Sequence, residues 1–214
     1  MRVRGLLVVA FAALAACGQG AEPDLEAMAA VEGAYKPCAA CHGVNGQGNE
    51  ALGAPTLVNL DDWYARRQLE NFRDGIRGTH PDDGFGQTMA MQTAALGESL
   101  DIDAVLAQIA GFPRIVPATT VRGDIDNGRD NYNMICGACH GPNGSGNELL
   151  ESPSLIGIDD WYLVAQYEKF RDGVRGTHES DRHGAQMQRM GHVLETDDEI
   201  ENVAAYLASL GIDD

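Results

Sequence analysis

Cationic residues are scarce in this sequence. Lys and Arg number 15 against 32 Asp and Glu, the only lysines are Lys36 and Lys169, and the formal net charge is −17. Nucleic acid selects basic patches and is excluded as a partner. Aromatic residues are also few, at 6%, while glycines number 26. A domain of under a hundred residues built this way has little to fill its core and needs a metal, disulfides or a cofactor. Long hydrophobic runs are missing beyond residues 6–16, so nothing later in the chain approaches the roughly 18 apolar residues of a membrane span. Sustained period-two alternation is missing too, which removes β-sheet and leaves an all-α class.

The first twenty residues, MRVRGLLVVAFAALAACGQG, carry Arg2 and Arg4, a short apolar run and then small residues. That is the order of an export signal. The segment LAAC ending at Cys17 resembles a bacterial lipobox, in which the cysteine is acylated and becomes the new N-terminus. Cleavage after Ala13-Leu14-Ala15 is the alternative and gives a soluble product. The lipoprotein reading also explains the odd fifth cysteine. Loss of residues 1–16 removes two arginines and no acid, leaving −19. Such a surface favours a basic docking partner and fast, salt-sensitive encounter, with plain solubility as the alternative.

A shift of 98 residues superposes the chain on itself without a gap from Cys38 to Leu96, with 31 identities in 59 positions. DDWY recurs at Asp61 and Asp159, and FRDGIRGTH at Phe72 returns as FRDGVRGTH at Phe170. Two copies are too few for a solenoid and predict two homologous domains. The expected division is a signal over 1–16, a tether over 17–23, domains over 24–112 and 125–214, and a proline-marked linker over 113–124. Each half is expected to hold a first helix (25–40 and 125–138) and a second starting at an Asp61 or Asp159 cap and ending at Gly78 or Gly176. A last helix is expected after GESLD or LETDDE, where Thr196 and Glu199 form a capping box. Ile200, Val203, Ala204, Leu207 and Leu210 share one face of it.

The chemistry lies in Cys38-Ala39-Ala40-Cys41-His42 and Cys136-Gly137-Ala138-Cys139-His140. Two thiols three positions apart can reach both vinyl groups of one porphyrin, and the next residue, His42 or His140, is then an axial iron ligand. Zinc would want two cysteine pairs per half, a thioredoxin-like pair would want a βαβ setting, and disulfides would not need the histidines. Two covalent haem c groups are therefore expected, each supplying apolar surface to a thin core.

A second axial ligand is expected later in each half. Met89 or Met91 and Met187 or Met190 are available, and only Met89 and Met187 coincide under the 98-residue shift. Their alternative is ordinary packing. His80 and His178 recur within GTH and suit a loop hydrogen-bonding role, while His183 and His192 occur once and are expected at the surface. The Pro55-Thr56-Leu57 and Pro153-Ser154-Leu155 loops suit the proximal face. Arg77 and Arg175 are either propionate binders or solvated helix-end cations.

With these motifs in order, each half resembles a class I cytochrome c, and the tandem resembles the dihaem cytochrome c4 family over residues 24–210. The resemblance implies two haem domains facing each other about a pseudo-twofold axis, and periplasmic electron transfer from a quinol-oxidising complex or dehydrogenase toward a terminal oxidase. It implies an electron carrier rather than an enzyme, with redox proteins as partners and no small-molecule substrate. A lipid anchor at Cys17 adds the alternative of a fixed subunit in a membrane complex. A dihaem peroxidase is disfavoured, because both halves keep their methionine.

Overall fold

The computed structural model describes residues 25–212. The export signal and Cys17 lie outside the described residues. Among the described residues no helix is long and apolar enough to cross a membrane. The first half contains α1 (Leu25–Ala30), α2 (Lys36–His42), α3 (Asp62–Arg73), α4 (Gly84–Leu96) and α5 (Ile102–Ile109). The second contains α6 (Ile125–Asn131), α7 (Gly137–His140), α8 (Asp160–Arg171), α9 (Arg182–Met190) and α10 (Asp197–Ser209). Extended pairing among the described residues is confined to two isolated bridges, Asn49–Ala54 and Asn147–Ser152, so the class is all-α.

The first helix departs from expectation in both halves. Gly33, at φ +80°, separates α1 from α2, and Pro37 enters the first turn of α2, where its missing N–H costs nothing. In the second half the backbone stays helical, but Tyr132–Cys136 is a π turn. The cause is one extra residue: Tyr35 lies three positions before Cys38, and Tyr132 lies four before Cys136. Each buried tyrosine nevertheless donates at 2.7 Å to the same place, Gly43 O or Gly141 O. The wider π turn absorbs the insertion and keeps both ends in register.

The second helices also stop early, at Arg73 and Arg171, because Gly75 and Gly173 take the left-handed turn at φ +70° and +69°. Helices α4 and α9 have no strong local signature, since glycines at 84, 86 and 184 lower helix propensity. They are started by Asp83 and Asp181, whose carboxylates accept from Gly86 N at 3.0 Å and Gly184 N at 2.8 Å. The capping box of α10 forms as expected, and Ile200, Val203, Ala204 and Leu207 are all buried. Tyr132, Leu194, Ile200, Val203, Tyr206 and Leu207 make the core of the second half. There α6 crosses α10 so closely that a β-carbon on Gly128 would lie 1.9 Å from Asn202 O.

The halves are interlocked by reciprocal contacts. Asp159 Oδ2 accepts from Thr56 N at 2.7 Å, and Asp61 Oδ2 accepts from Ser154 N at 2.7 Å. These aspartates were expected to cap α3 and α8, but neither side chain caps its own helix. Each instead accepts from a loop N–H of the other half, a group that must find a partner where it is withdrawn from water. Arg77 Nη2 donates to Tyr162 Oη and Gln166 Oε1, both at 2.9 Å, while Arg175 Nη2 donates to Tyr64 Oη at 3.0 Å and Gln68 Oε1 at 2.9 Å. Contacts repeated with the halves exchanged are what an approximate twofold axis requires. Residues 113–124 carry no regular element, and the buried Asp160 pins them by accepting from Thr120 N, Thr120 Oγ1 and Val121 N.

Some interface contacts have no symmetric counterpart, and one of them is an ion pair of Lys169 with Asp83. Lys169 Nζ lies 2.7 Å from Asp83 Oδ1, whereas the residue equivalent to Lys169 is Asn71. Burial alone pushes the Asp83 carboxyl up, but Lys169, the Gly86 N–H and Arg77 outweigh it and hold it below the ordinary carboxylate range. A depressed folded pKa contributes stability above the unfolded value and loses it as pH falls through the folded one. Lys169→Met is therefore expected to cost about 3 kcal/mol near neutral pH. The gap to wild type in urea denaturation should close below about pH 4. A gap that persists unchanged into strong acid contradicts this account.

Candidate functional site

Each site is assembled where the helix end carrying the cysteine motif meets the proline loop. Cys38 and Cys41 lie on α2, and Cys136 to Cys139 run from the π turn into α7. All four are half-buried and none is in a disulfide. Burial, with the neighbouring cysteine adding to it, pushes both the Cys38 and the Cys136 thiol up to about 11. They are thus neutral thiols in an apolar setting, unlike the electropositive surroundings of a redox-active or metal-binding thiolate. Among the described residues no cluster of three or more His, Cys, Asp or Glu is placed to hold a metal ion.

The histidines that follow are aimed by a single hydrogen bond. His42 Nδ1 lies 2.8 Å from Pro55 O, and His140 Nδ1 lies 2.8 Å from Pro153 O. A carbonyl can only accept, so Nδ1 carries the proton and Nε2 keeps its lone pair. Burial lowers both imidazole pKa values, opposed in part by the proline carbonyl, and so favours the neutral ring. The loop that presents each carbonyl is held by glycine: Gly48 N donates to His42 O at 2.8 Å and Gly146 N to His140 O at 2.6 Å.

In the second half these groups open onto a cavity lined by Cys136, Cys139, His140, Pro153 and Met187 and walled by Leu155, Leu163, Phe170, Leu194 and Ile200. Met190 also reaches this wall but is 38% exposed, while Met187 is half-buried. In the first half Met89 is half-buried and Met91 is 64% exposed. The half-buried member of each pair is the one that the repeat selects. The cavity wall is completed from the other half by Leu60, Tyr64, Arg67 and Gln68, which no motif announced.

Two expectations are corrected here. Arg77 and Arg175 are not solvated cations; each is 7% exposed, and each has a buried Nε without a hydrogen-bond partner. His183 is not a bare surface residue; it lies on the cavity wall with Nε2 2.7 Å from Glu151 Oε2. Trp63 and Trp161 are half-buried, and neither lines the cavity. His80 and His178 do take the loop role, their Nδ1 atoms accepting from Asp82 N at 3.2 Å and Ser180 N at 3.1 Å.

A paired-thiol, free-Nε2 pocket with an apolar wall and a thioether on a facing helix suits a porphyrin. The unpartnered guanidinium nitrogens suit its carboxylates. The cytochrome c family model matches residues 28–110 and 125–211. The thiosulfate dehydrogenase electron acceptor of Stutzerimonas stutzeri (strain A1501) is 33% identical over 186 residues, covering 81% of this chain and 79% of its own length. The cytochrome c4 structure from Acidithiobacillus ferrooxidans superposes with a TM-score of 0.64 and 25% identity, over 82% of this chain and 99% of its own. Thiosulfate dehydrogenase (TsdBA) of Marichromatium purpuratum gives a TM-score of 0.59 and 30% identity over 80% of this chain, which spans only 36% of that protein. The chain belongs to the cytochrome c family, as two tandem helical domains related to cytochrome c4, and membership implies covalently bound haem c.

Proposed function

We propose that this protein is a dihaem electron carrier of the periplasm, with one haem c in each of the domains 24–112 and 125–214. Cys38 and Cys41 would attach the first group and Cys136 and Cys139 the second. His42 with Met89, and His140 with Met187, would be the axial pairs. When bound, haem c supplies a one-electron ferric–ferrous couple. The chain's own residues do the rest. Pro55 and Pro153 carbonyls fix the tautomer and plane of each imidazole, and the apolar wall excludes water. Met89 and Met187 would hold the iron on the side facing away from the histidines, leaving no open position for a substrate, and a thioether there would raise the potential. Arg77 and Arg175 offer buried charge-assisted donors to propionates.

One observation carries this reading: the Nδ1 bond to a proline carbonyl, beside a Cys-x-x-Cys pair, is built twice with the same 2.8 Å geometry. The relative named as an electron acceptor aligns over most of both chains, and this supports a carrier rather than an enzyme. A periplasmic dehydrogenase is the proposed donor and a terminal oxidase the proposed acceptor, the acidic surface meeting a basic docking face. The LAAC segment favours a second form of the same function, in which an acylated Cys17 tethers the carrier or fixes it within a membrane complex. Multiple acyl chains give stable anchoring and one does not.

A spectroscopic redox titration of the purified holoprotein, repeated under carbon monoxide, tests the carrier reading. Two one-electron waves and no prompt carbon monoxide binding are expected. Stoichiometric binding at either reduced site would favour a catalyst with an open iron.

A further inference from the structure

The exchange symmetry of the two halves fails at one point on the second cavity's wall. Gly53 turns at φ +61°, and its 98-residue counterpart Glu151 turns the same way at φ +53°. A left-handed backbone suits glycine and is unfavourable for a residue bearing a β-carbon, so Glu151 holds a strained position. Among the described residues only Asn143 shares this with it outside glycine, and asparagine tolerates the region well.

The carboxylate is held from both halves. Arg67 Nη1 donates to Glu151 Oε2 at 2.6 Å and Nη2 to Glu151 O at 3.1 Å, while His183 Nε2 lies 2.7 Å from the same Oε2. Arg67 comes from α3 of the first half, its guanidinium 4.9 Å from the Trp63 ring centroid and 5.8 Å from that of Tyr64. All three residues line the cavity that contains His140 and Met187. The matching positions at the first site are Gly53 and Phe85 of the first half and Ala165 of the second, with no charge among them. There the Phe85 ring packs so tightly that a β-carbon on Gly53 would lie 2.4 Å from it.

We propose that Arg67 and Glu151 are an opposed charge pair that tunes the reduction potential of the second haem and has no counterpart at the first. Arg67 raises it and Glu151 holds it down. The proposal rests on the dihaem reading above. Reduction lowers the charge of a site by one, so a neighbouring cation favours the reduced form and an anion opposes it. At the cavity wall Arg67 keeps 22% of its side-chain surface and Glu151 49%, so solvent screens the carboxylate more than the guanidinium. The contacts to Arg67 and His183 offset the backbone cost of a glutamate at a glycine's angle.

Holoprotein variants test this by potentiometric titration. Glu151→Gly restores the residue of the first half, relieving strain while removing the carboxylate, and Glu151→Gln removes the charge alone. Both are expected to move one of the two waves upward. Arg67→Gln should move that same wave downward, Arg67→Gln with Glu151→Gln should return it near wild type, and the other wave should stay. Movement in the same direction for both single charge losses means mechanical loosening and overturns the proposal, as does no movement or movement of both waves. Mass measurement on each sample separates the two levels. Two attached haems with unmoved waves end only this proposal, whereas their absence from the wild type ends the dihaem reading beneath it.

Discussion

Met187→Ala is expected to lower one of the two potentials by on the order of 0.1–0.2 V, a fraction of the roughly 0.8 V that axial ligands span. The same variant should bind carbon monoxide at one reduced site in two, with both haems still covalently attached. The selection rests on burial and symmetry. Met187 is half-buried on the cavity wall and matches Met89, while Met190 is more exposed and matches Gln92. Met190→Ala is the control and should leave potential and spectrum unchanged. An unaltered Met187→Ala spectrum would mean that another side chain ligates the iron.

Gly146→Ala should be among the more disruptive single-methyl changes in the second domain. Gly146 turns at φ +80°, and a β-carbon there would lie 2.6 Å from Ser154 N and 3.0 Å from Pro153 C. Backbone cannot yield as a flexible side chain does. The left-handed strain costs about 1–2 kcal/mol, and overpacking adds about 1–3 kcal/mol. A loss of about 3–4 kcal/mol in chemical denaturation is therefore expected. The displaced atoms are functional: Pro153 O orients His140, and Ser154 N donates to Asp61. The axial imidazole and the domain interface should loosen together, broadening the haem absorption bands. A cost under about 1 kcal/mol would show that the loop adjusts freely.

How far the sequence announces all this depends on distance along the chain. The capping box at Thr196 is a local pattern and forms as read, and the repeat returns as two tandem family regions. The π turn was visible only as a one-residue offset between Tyr132 and Tyr35, which the gapless alignment from Cys38 onward passes over. Asp61 and Asp159 carry a helix-start signal, yet their carboxylates serve loop N–H groups about a hundred residues away. Arg77 and Arg175 read as helix-end cations because the tyrosines and glutamines that bury them belong to the opposite half. Glu151 offered one clue, a glutamate where the first copy has glycine, but its meaning required Arg67 and His183 at the same wall. Helices α4 and α9 were obscured by their glycines, whose cost is met by Asp83 and Asp181 and by packing.

The interface also explains why two small domains suffice. Each half lends buried donors and acceptors to the other, so neither proline loop completes its hydrogen bonding alone. The dense polar contacts fix one relative orientation, which a fixed distance between two electron sites requires.

Intact-protein mass spectrometry of chain matured in a host competent for haem attachment tests the central claim most directly. The account predicts a mass increment of two porphyrins that survives denaturation, with one mapped to the peptide holding Cys38 and Cys41 and the other to that holding Cys136 and Cys139. A chain that carries no covalent porphyrin after such maturation would contradict it.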